Sequence, residues 1–338
     1  MAERLVADVI VERLQAWGVE RIFGYSGDGI NTVLGALRRS GSPEFVQARH
    51  EENAAFMAVG HAKYTGRPGV MLSTQGPGAV HLLNGLYDAK MDSVPVVAII
   101  GQQSRSVLGS AYMQEIDLLN LTRDVASSFR QQVNSPEQLP LVLDRAFKAA
   151  LADRAPAVVI IPHDVQQAPA PDLDHEHGIV TSAPVWSPPN LVPAAGDLEA
   201  AAAVINDGER VAFLVGQGAR GAWPQVRALA EKTGAGITTS LMGKPYVDES
   251  HPLAAGVMGH LGTSASGFVL GECDTLVIVG SNDPWTEFYP PPGAARAVQI
   301  DVDAAAIGNR YPVEAAVTGD AAAALDALLP LVTERSDS

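Results

Sequence analysis

Arg49, His50, Glu51 and Glu52 follow one another where a buried strand ending near Val46 is expected to run into a helix. Apolar residues are the usual occupants of such a junction, and four titratable ones there are hard to assign to packing. Beyond them Ala55, Phe56, Val59 and Ala62 recur at helical spacing, so the helix would lie on a core and aim its first turn at a cleft. That placement makes Glu51 the candidate catalytic carboxylate. A carboxylate in a first turn also suits the helix dipole or a capping role, and this plainer reading stands beside the catalytic one. Two further junctions carry unusual chemistry, Ser26-Gly27 and Thr74-Gln75-Gly76-Pro77-Gly78. Strand carboxyl ends of a parallel sheet line one edge, where ligands bind, so the three turns are expected to face one cleft. His50 and His81 fall in these turns.

The elements that must position these turns alternate between strand and helix. Val6, Ile10, Leu14 and Trp17 mark a first helix stopped at Gly18, and the spacing then predicts a strand over 21–25 and a helix over 32–39. Further strands are expected over 69–74, 94–100 and 157–161, with helices over 79–90 and 136–152. A second series has strands over 211–215, 236–239, 275–279, 297–300 and 315–318. Strands apolar throughout, alternating with helices, imply an α/β fold of two doubly wound domains, each with a central, mainly parallel sheet covered by helices on both faces. The expected division is 1–168 and 194–338, joined by a linker over 169–193 rich in proline, aspartate and alanine.

Composition narrows the function classes. The 338 residues are 47% hydrophobic and 18% charged, enough for two sizeable cores. A net charge of -15 argues against nucleic-acid or anionic-membrane partners. Cys273 is the only cysteine, so no intrachain disulfide can form. No apolar run approaches the ~20 residues that span a bilayer, and the cytoplasm is the expected location.

The run Arg49 to Glu52 with Ala54-Ala55-Phe56-Met57-Ala58, the turn Gly76-Pro77-Gly78, Asn84-Gly85-Leu86 and Asp92-Ser93-Val94-Pro95-Val96-Val97 resembles the pyrimidine-binding domain of thiamine diphosphate enzymes. The nearest branch is that of pyruvate oxidase and acetolactate synthase. The resemblance implies that Glu51 hydrogen-bonds N1′ of the aminopyrimidine and helps generate the carbanion that attacks a 2-oxo acid such as pyruvate. It also implies that Ser26, Gly27, His50, Thr74, Gln75 and Gly76 sit near the pyrimidine. Asn84 would touch the ring or a dimer partner, and Met113 and Gln114 would lie near the substrate, with Gln114 taking part in catalysis. The plainer reading of Met113-Gln114 is a loop with one solvated amide.

In the second half, Gly216-Gln217-Gly218-Ala219-Arg220-Gly221 follows a strand, a pattern that presents backbone N–H groups to a pyrophosphate at a helix start. The acidic residue a dinucleotide fingerprint places about 20 residues later is replaced by Thr238, Thr239 and Ser240, which disfavours an ordinary NAD site. With Asn282, Asp283, Asp301, Val302, Asp303, Gly319 and Asp320 at other strand ends, the set is similar to the FAD-carrying middle domain of pyruvate oxidases. Asp301 and Asp303 would then meet ribose or adenine, and Gly216, Gly218, Ala219 and Arg220 the diphosphate. A middle domain that kept its fold without a nucleotide is the alternative.

Two apparent metal motifs are set aside, so no metal ligand is expected in this chain. Gly27-Asp28-Gly29 belongs to the first turn, and Asp28 reads as a turn or cap residue. Asp172, Asp174, His175, Glu176 and His177 lie in the proline-bearing stretch, with no rigid element to hold ligand geometry. The family also has a third domain that binds diphosphate and Mg2+, and no second Gly-Asp-Gly or Asn-Asn is present. The expectation is therefore a pyrimidine-plus-middle-domain part of an oxidoreductase or transferase, inactive alone. A separate chain or missing domain would complete the site, within a homo-oligomeric dimer or tetramer. A carboligase part of the acetolactate synthase type and a non-catalytic nucleotide-binding or regulatory subunit are the alternatives.

Overall fold

A computed structural model describes residues 3–173 and 177–335. Asp174, His175, Glu176 and the terminal 336–338 lie outside the described residues. The chain forms two compact units, Met1–Pro188 and Pro189–Ser338.

The first unit holds strands β1 (Arg21–Gly24), β2 (Glu44–Gln47), β3 (Gly69–Ser73), β4 (Val96–Gln102), β5 (Phe129–Gln132) and β6 (Pro156–Pro162). They make one parallel sheet in the order β2-β1-β3-β4-β6-β5. Its helices are α1 (Val6–Ala16), α2 (Asn31–Ser40), α3 (Glu51–Thr65), α4 (Pro77–Met91), α5 (Leu118–Leu121), α6 (Leu139–Asp153) and α7 (His163–Gln167). Alternate residues of the central strands feed two cores. Val97 and Ile99 pack with Ile10, Leu14 and Phe147 on the α1–α6 side, whereas Val96, Ala98 and Ile100 pack with Ala55, Val59, Leu82 and Leu86 on the α3–α4 side.

The second unit repeats the plan with β7 (Val211–Val215), β8 (Gly236–Thr239), β9 (Ala254–Val257), β10 (Thr275–Val279), β11 (Arg296–Asp301) and β12 (Ala315–Thr318). The order is β12-β11-β10-β7-β8-β9, again parallel throughout. Helices α8 (Ala195–Asp207), α9 (Trp223–Thr233), α10 (Ser264–Glu272) and α11 (Ala321–Leu328) cover it. Both units are thus doubly wound α/β folds. No helix among the described residues is long and apolar enough to cross a membrane.

Three strand expectations change. The strand before Glu51 is not buried: β2 is an edge strand with β1 on one side only, and its polar ends Glu44 and Gln47 are exposed. Strands β5 and β9 escaped the sequence because Arg130-Gln131-Gln132 and Ala254-Ala255-Gly256 carry neither the apolar run nor the branched residues of a buried strand. Strand β4 begins at Val96, after Pro95.

Asp144 ties down the proline-rich stretch. Fully buried on α6, it accepts hydrogen bonds from Trp17 Nε1 at 2.9 Å and Ser182 Oγ at 2.6 Å, with Arg13 Nε at 3.3 Å. Arg13 also donates to the Ser182 carbonyl at 3.1 Å, and Ala170 donates to the Arg4 carbonyl at 2.8 Å. Asp144→Ala leaves the Trp17 indole N–H and the Ser182 hydroxyl without their acceptor and the partly buried Arg13 guanidinium without its counter-charge. It is expected to cost about 3 kcal/mol, read from urea denaturation. Cys273 offers a second check. Burial, reinforced by the neighbouring Asp274 carboxylate, pushes its thiol up to about 11. The neutral thiol is therefore retained on folding, and iodoacetamide at mildly alkaline pH should label the native chain far more slowly than the urea-unfolded one.

Candidate active site

In the first sheet the chain steps from β1 to β2 in one direction and onward from β3 in the other, so the crevice above the β1–β3 pair is the topological switch point. The turns after these two strands are joined there. Thr74 Oγ1 accepts from Gly29 N at 3.1 Å and has Gln75 Oε1 at 2.8 Å and Asp28 Oδ1 at 3.2 Å. Gln75 Nε2 donates to Gln114 Oε1 at 3.2 Å. A Cβ on Gly27 would fall 2.5 Å from Thr74 Cβ, so only glycine allows the two turns to approach this closely. Asp28 accepts from Gly29 N at 2.9 Å, the turn role expected of it. Ser26 is exposed and lines a hollow with Leu34, Phe45 and Gln47.

Glu51 opens α3, and His50 is its N-cap, with extended backbone and Nδ1 accepting from Glu52 N at 3.2 Å. The Glu51 side chain is only 9% exposed, and His81 Nδ1, near the start of α4, lies 2.9 Å from Oε2. The carboxylate is an acceptor there and the imidazole N–H the donor. The His50 and His81 rings stack with centroids 4.2 Å apart. Asn84 donates through Nδ2 to Glu52, one helical turn beyond His81. Two glycines of α4 make the arrangement fit. A Cβ on Gly85 would sit 2.4 Å from Ala55 Cβ, so its absence lets α3 and α4 close on each other. A Cβ on Gly78 would sit 2.7 Å from Ser73 Oγ and 3.2 Å from Glu51 Oε1, so glycine leaves open the space beside that oxygen.

Gly76 caps α4 at φ 60° and ψ -121°, and Gln114 itself has φ 62°. Gln114 thus reaches the switch point through Gln75, whereas the Met113 side chain is 64% exposed and its carbonyl accepts from Gln103 Nε2 at 2.8 Å. Glu115 holds this loop, accepting from Gly109 N and Tyr112 N. The Gly109 hydrogen bond, followed by that of Tyr112, keeps its carboxyl below the ordinary range. Sequence reasoning missed Glu115 and the Glu51–His81 pair. His81 had been singled out, but a partner 30 positions away has no local signal.

The second unit has its switch point between β7 and β10. A Cβ on Gly216 would fall 2.2 Å from Gly280 O, and one on Gly218 would fall 2.7 Å from Gly280 Cα. Gly216 N donates to Val279 O at 2.9 Å and Gly218 N to Gly280 O at 3.0 Å. The glycines thus let the turn after β7 cross the turn after β10, with the Gly216 and Gly218 N–H groups bonded to that second turn. The expected helix starts only at Trp223, after a 3₁₀ turn over Gln217–Ala219. Ala219 is buried, and the Arg220 guanidinium lies 5.4 Å from the centroid of the Tyr246 ring.

The acidic candidates also have local work. Asp301 accepts from Asp303 N at 3.0 Å, Asp303 accepts from Ala305 N at 2.9 Å, and Asp320 caps α11 through Ala322 N and Ala323 N. Asp283 accepts from Trp285 N at 3.0 Å, and burial raises its carboxyl above the ordinary range. The Asn282 carbonyl accepts from Arg310 Nε at 3.2 Å, Gly319 packs on Pro193, and Val302 is exposed. Thr239 Oγ1, at the end of β8, and Ser281 Oγ, just after β10, are among the buried polar atoms without a hydrogen-bond partner in the described residues.

Comparison with known proteins adds to this geometry. Residues 4–121 match the N-terminal TPP binding domain of thiamine pyrophosphate enzymes, and residues 198–328 match their central domain. An uncharacterized 42.6 kDa protein of Pseudomonas amyloderamosa is 38% identical over 337 residues, covering 100% of this chain and 83% of its own length. A putative thiamine pyrophosphate-containing protein of Bacillus subtilis is 38% identical over 338 residues, 100% of this chain and 58% of its own. A pyruvate oxidase of Lactiplantibacillus plantarum is 33% identical over 341 residues, 99% of this chain and 55% of its own. Acetolactate synthases are also among the relatives. The chain thus spans little more than half the length of the last two relatives described.

Thr74→Val tests how the crevice is held. The substitution keeps the shape but removes the donor to the buried Gln75 Oε1, while Gly29 N keeps Asp28 Oδ1, and a buried acceptor left unpaired costs about 1–3 kcal/mol. Chemical denaturation should show a loss in that range.

Proposed function

Because the chain belongs to the thiamine pyrophosphate enzyme family, we propose that its first unit holds the aminopyrimidine end of thiamine diphosphate against Glu51 in an enzyme that decarboxylates a 2-oxo acid, in the manner of a pyruvate oxidase. The observation that carries this reading is the state of Glu51. Its carboxylate is withdrawn from water, one oxygen is held by His81, and the other borders the room that Gly78 leaves open. A ring nitrogen entering there meets a fixed acceptor able to hold or return a proton. Bound thiamine diphosphate supplies the carbanion chemistry. Glu51 holds a proton at the ring nitrogen, His81 sets the rotamer of Glu51, and the Thr74–Gln75–Gln114 chain shapes the neighbouring wall.

Other components complete the proposal. The diphosphate and Mg2+ would be held by a further domain or chain, which accords with the greater length of the Bacillus and Lactiplantibacillus relatives. FAD would lie in the second unit's crevice between β7 and β10, where Thr239 Oγ1 and Ser281 Oγ are buried without hydrogen-bond partners, with Arg220 alongside. A second copy of the chain would cover the exposed apolar face of α3 and α4, where Phe56, Tyr64, Val80, Tyr87 and Met91 stand beside Glu52 and Asn84. Acetolactate synthase-type carboligation is the second reading, favoured by the acetolactate synthases among the relatives.

The test adds a relative's diphosphate-binding domain in trans, with thiamine diphosphate and Mg2+, and follows pyruvate. Consumption is expected, and Glu51→Gln should lower it by about 10²-fold or more. Acetolactate among the products would select the carboligase reading. No consumption of pyruvate or another 2-oxo acid, with Glu51→Gln indistinguishable from the parent, would overturn the proposal. Flavin is read separately: yellow protein releasing flavin on denaturation is expected, and a colourless protein that cannot be reloaded removes FAD while leaving the thiamine reading in place.

A further inference from the structure

The cleft-facing turns bring together three groups that the thiamine reading uses only in part. His50, Glu51 and His81 each offer one ligand atom, and these atoms all lie within 4.8 Å of one another. We propose that this triad binds a borderline transition-metal dication, Zn2+ being the reference ion, with two imidazole nitrogens and one carboxylate oxygen as ligands.

Donor type, geometry and access each support the assignment. Two imidazoles with one carboxylate suit zinc and its first-row neighbours, whereas Mg2+ and Ca2+ prefer oxygen donors. Tetrahedral zinc with bonds near 2.0–2.1 Å places its ligands about 3.3 Å apart. Glu51 Oε2 and His81 Nδ1, at 2.9 Å, need open by only a few tenths of an ångström. His50 must close a larger gap, and with its side chain 43% exposed it has the freedom to turn. Its helix-capping bond to Glu52 N, at 3.2 Å, is long enough to be exchanged for a metal bond. The buried carboxylate supplies a fixed anionic ligand, and the His50 ring turns out of its stack on His81 so that the two in-plane lone pairs converge. Three protein ligands leave the fourth position open to water. Binding moves the His81 proton from Nδ1 to Nε2, so the neutral ring ligates through Nδ1 and no proton is released.

The proposal does not rest on the thiamine reading, because its assay contains no thiamine compound. The full chain is equilibrated with Zn2+ by dialysis and its bound metal counted, and Co2+ is titrated in parallel while its visible absorption is followed. About one equivalent is expected, with the intense bands of four-coordinate Co2+, and an excess of Mg2+ should not displace it. His50→Ala and His81→Ala should each weaken binding at least tenfold, while thermal melts without metal confirm that both variants fold. His251 beside Glu231 and His260 beside Glu287 are the surface pairs that could take up zinc adventitiously. Unchanged stoichiometry and affinity in both variants would assign the metal to such pairs and overturn the proposal, as would failure of the parent to bind Zn2+ at micromolar concentration.

Discussion

A carboxylate taken out of water must find a hydrogen-bond donor, and the first unit is arranged around how Glu51 finds one. Its partner, His81, comes from a different β-turn-α unit, so the contact exists only if β3 lies beside β1 and α4 lies against α3. Register in the parallel sheet secures the first condition, and the missing Cβ of Gly85 secures the second. The same two conditions bring Thr74 against Gly29 and Gln75 toward Gln114. The geometry around Glu51 and the core packing in this unit are therefore one problem, solved by the same few small residues.

Much of this was legible in the sequence, for reasons that can be named. Buried parallel strands such as Val96–Gln102 and Val211–Val215 announce themselves as continuous apolar runs. Glu51 was legible because charge at a strand-to-helix junction violates local expectation. What escaped was non-local or half-polar. The edge strand before Glu51 was taken as buried because Phe45 and Val46 are apolar, although a strand with one neighbour leaves its ends in water. The Glu51–His81 pair and the Glu115 clasp depend on loop paths that periodicity does not encode.

The second unit shows that a glycine motif has a structural use of its own. Gly216 and Gly218 follow a strand at the spacing of a phosphate-binding turn, but their close approach is to Gly280 and their N–H groups bond to the β10 turn. The carboxylates at the neighbouring strand ends cap turns and a helix in the same manner. A glycine motif reports that backbone comes near something; only the fold shows what that something is.

Gly85 carries one more implication. Side chains that meet across flexible contacts must be rearranged each time charge moves, whereas α3 and α4 touch with scarcely a methyl group between them. The spacing of the two helices that carry Glu51 and His81 is therefore set by backbone contact, and what can still move at the pair is the His81 ring.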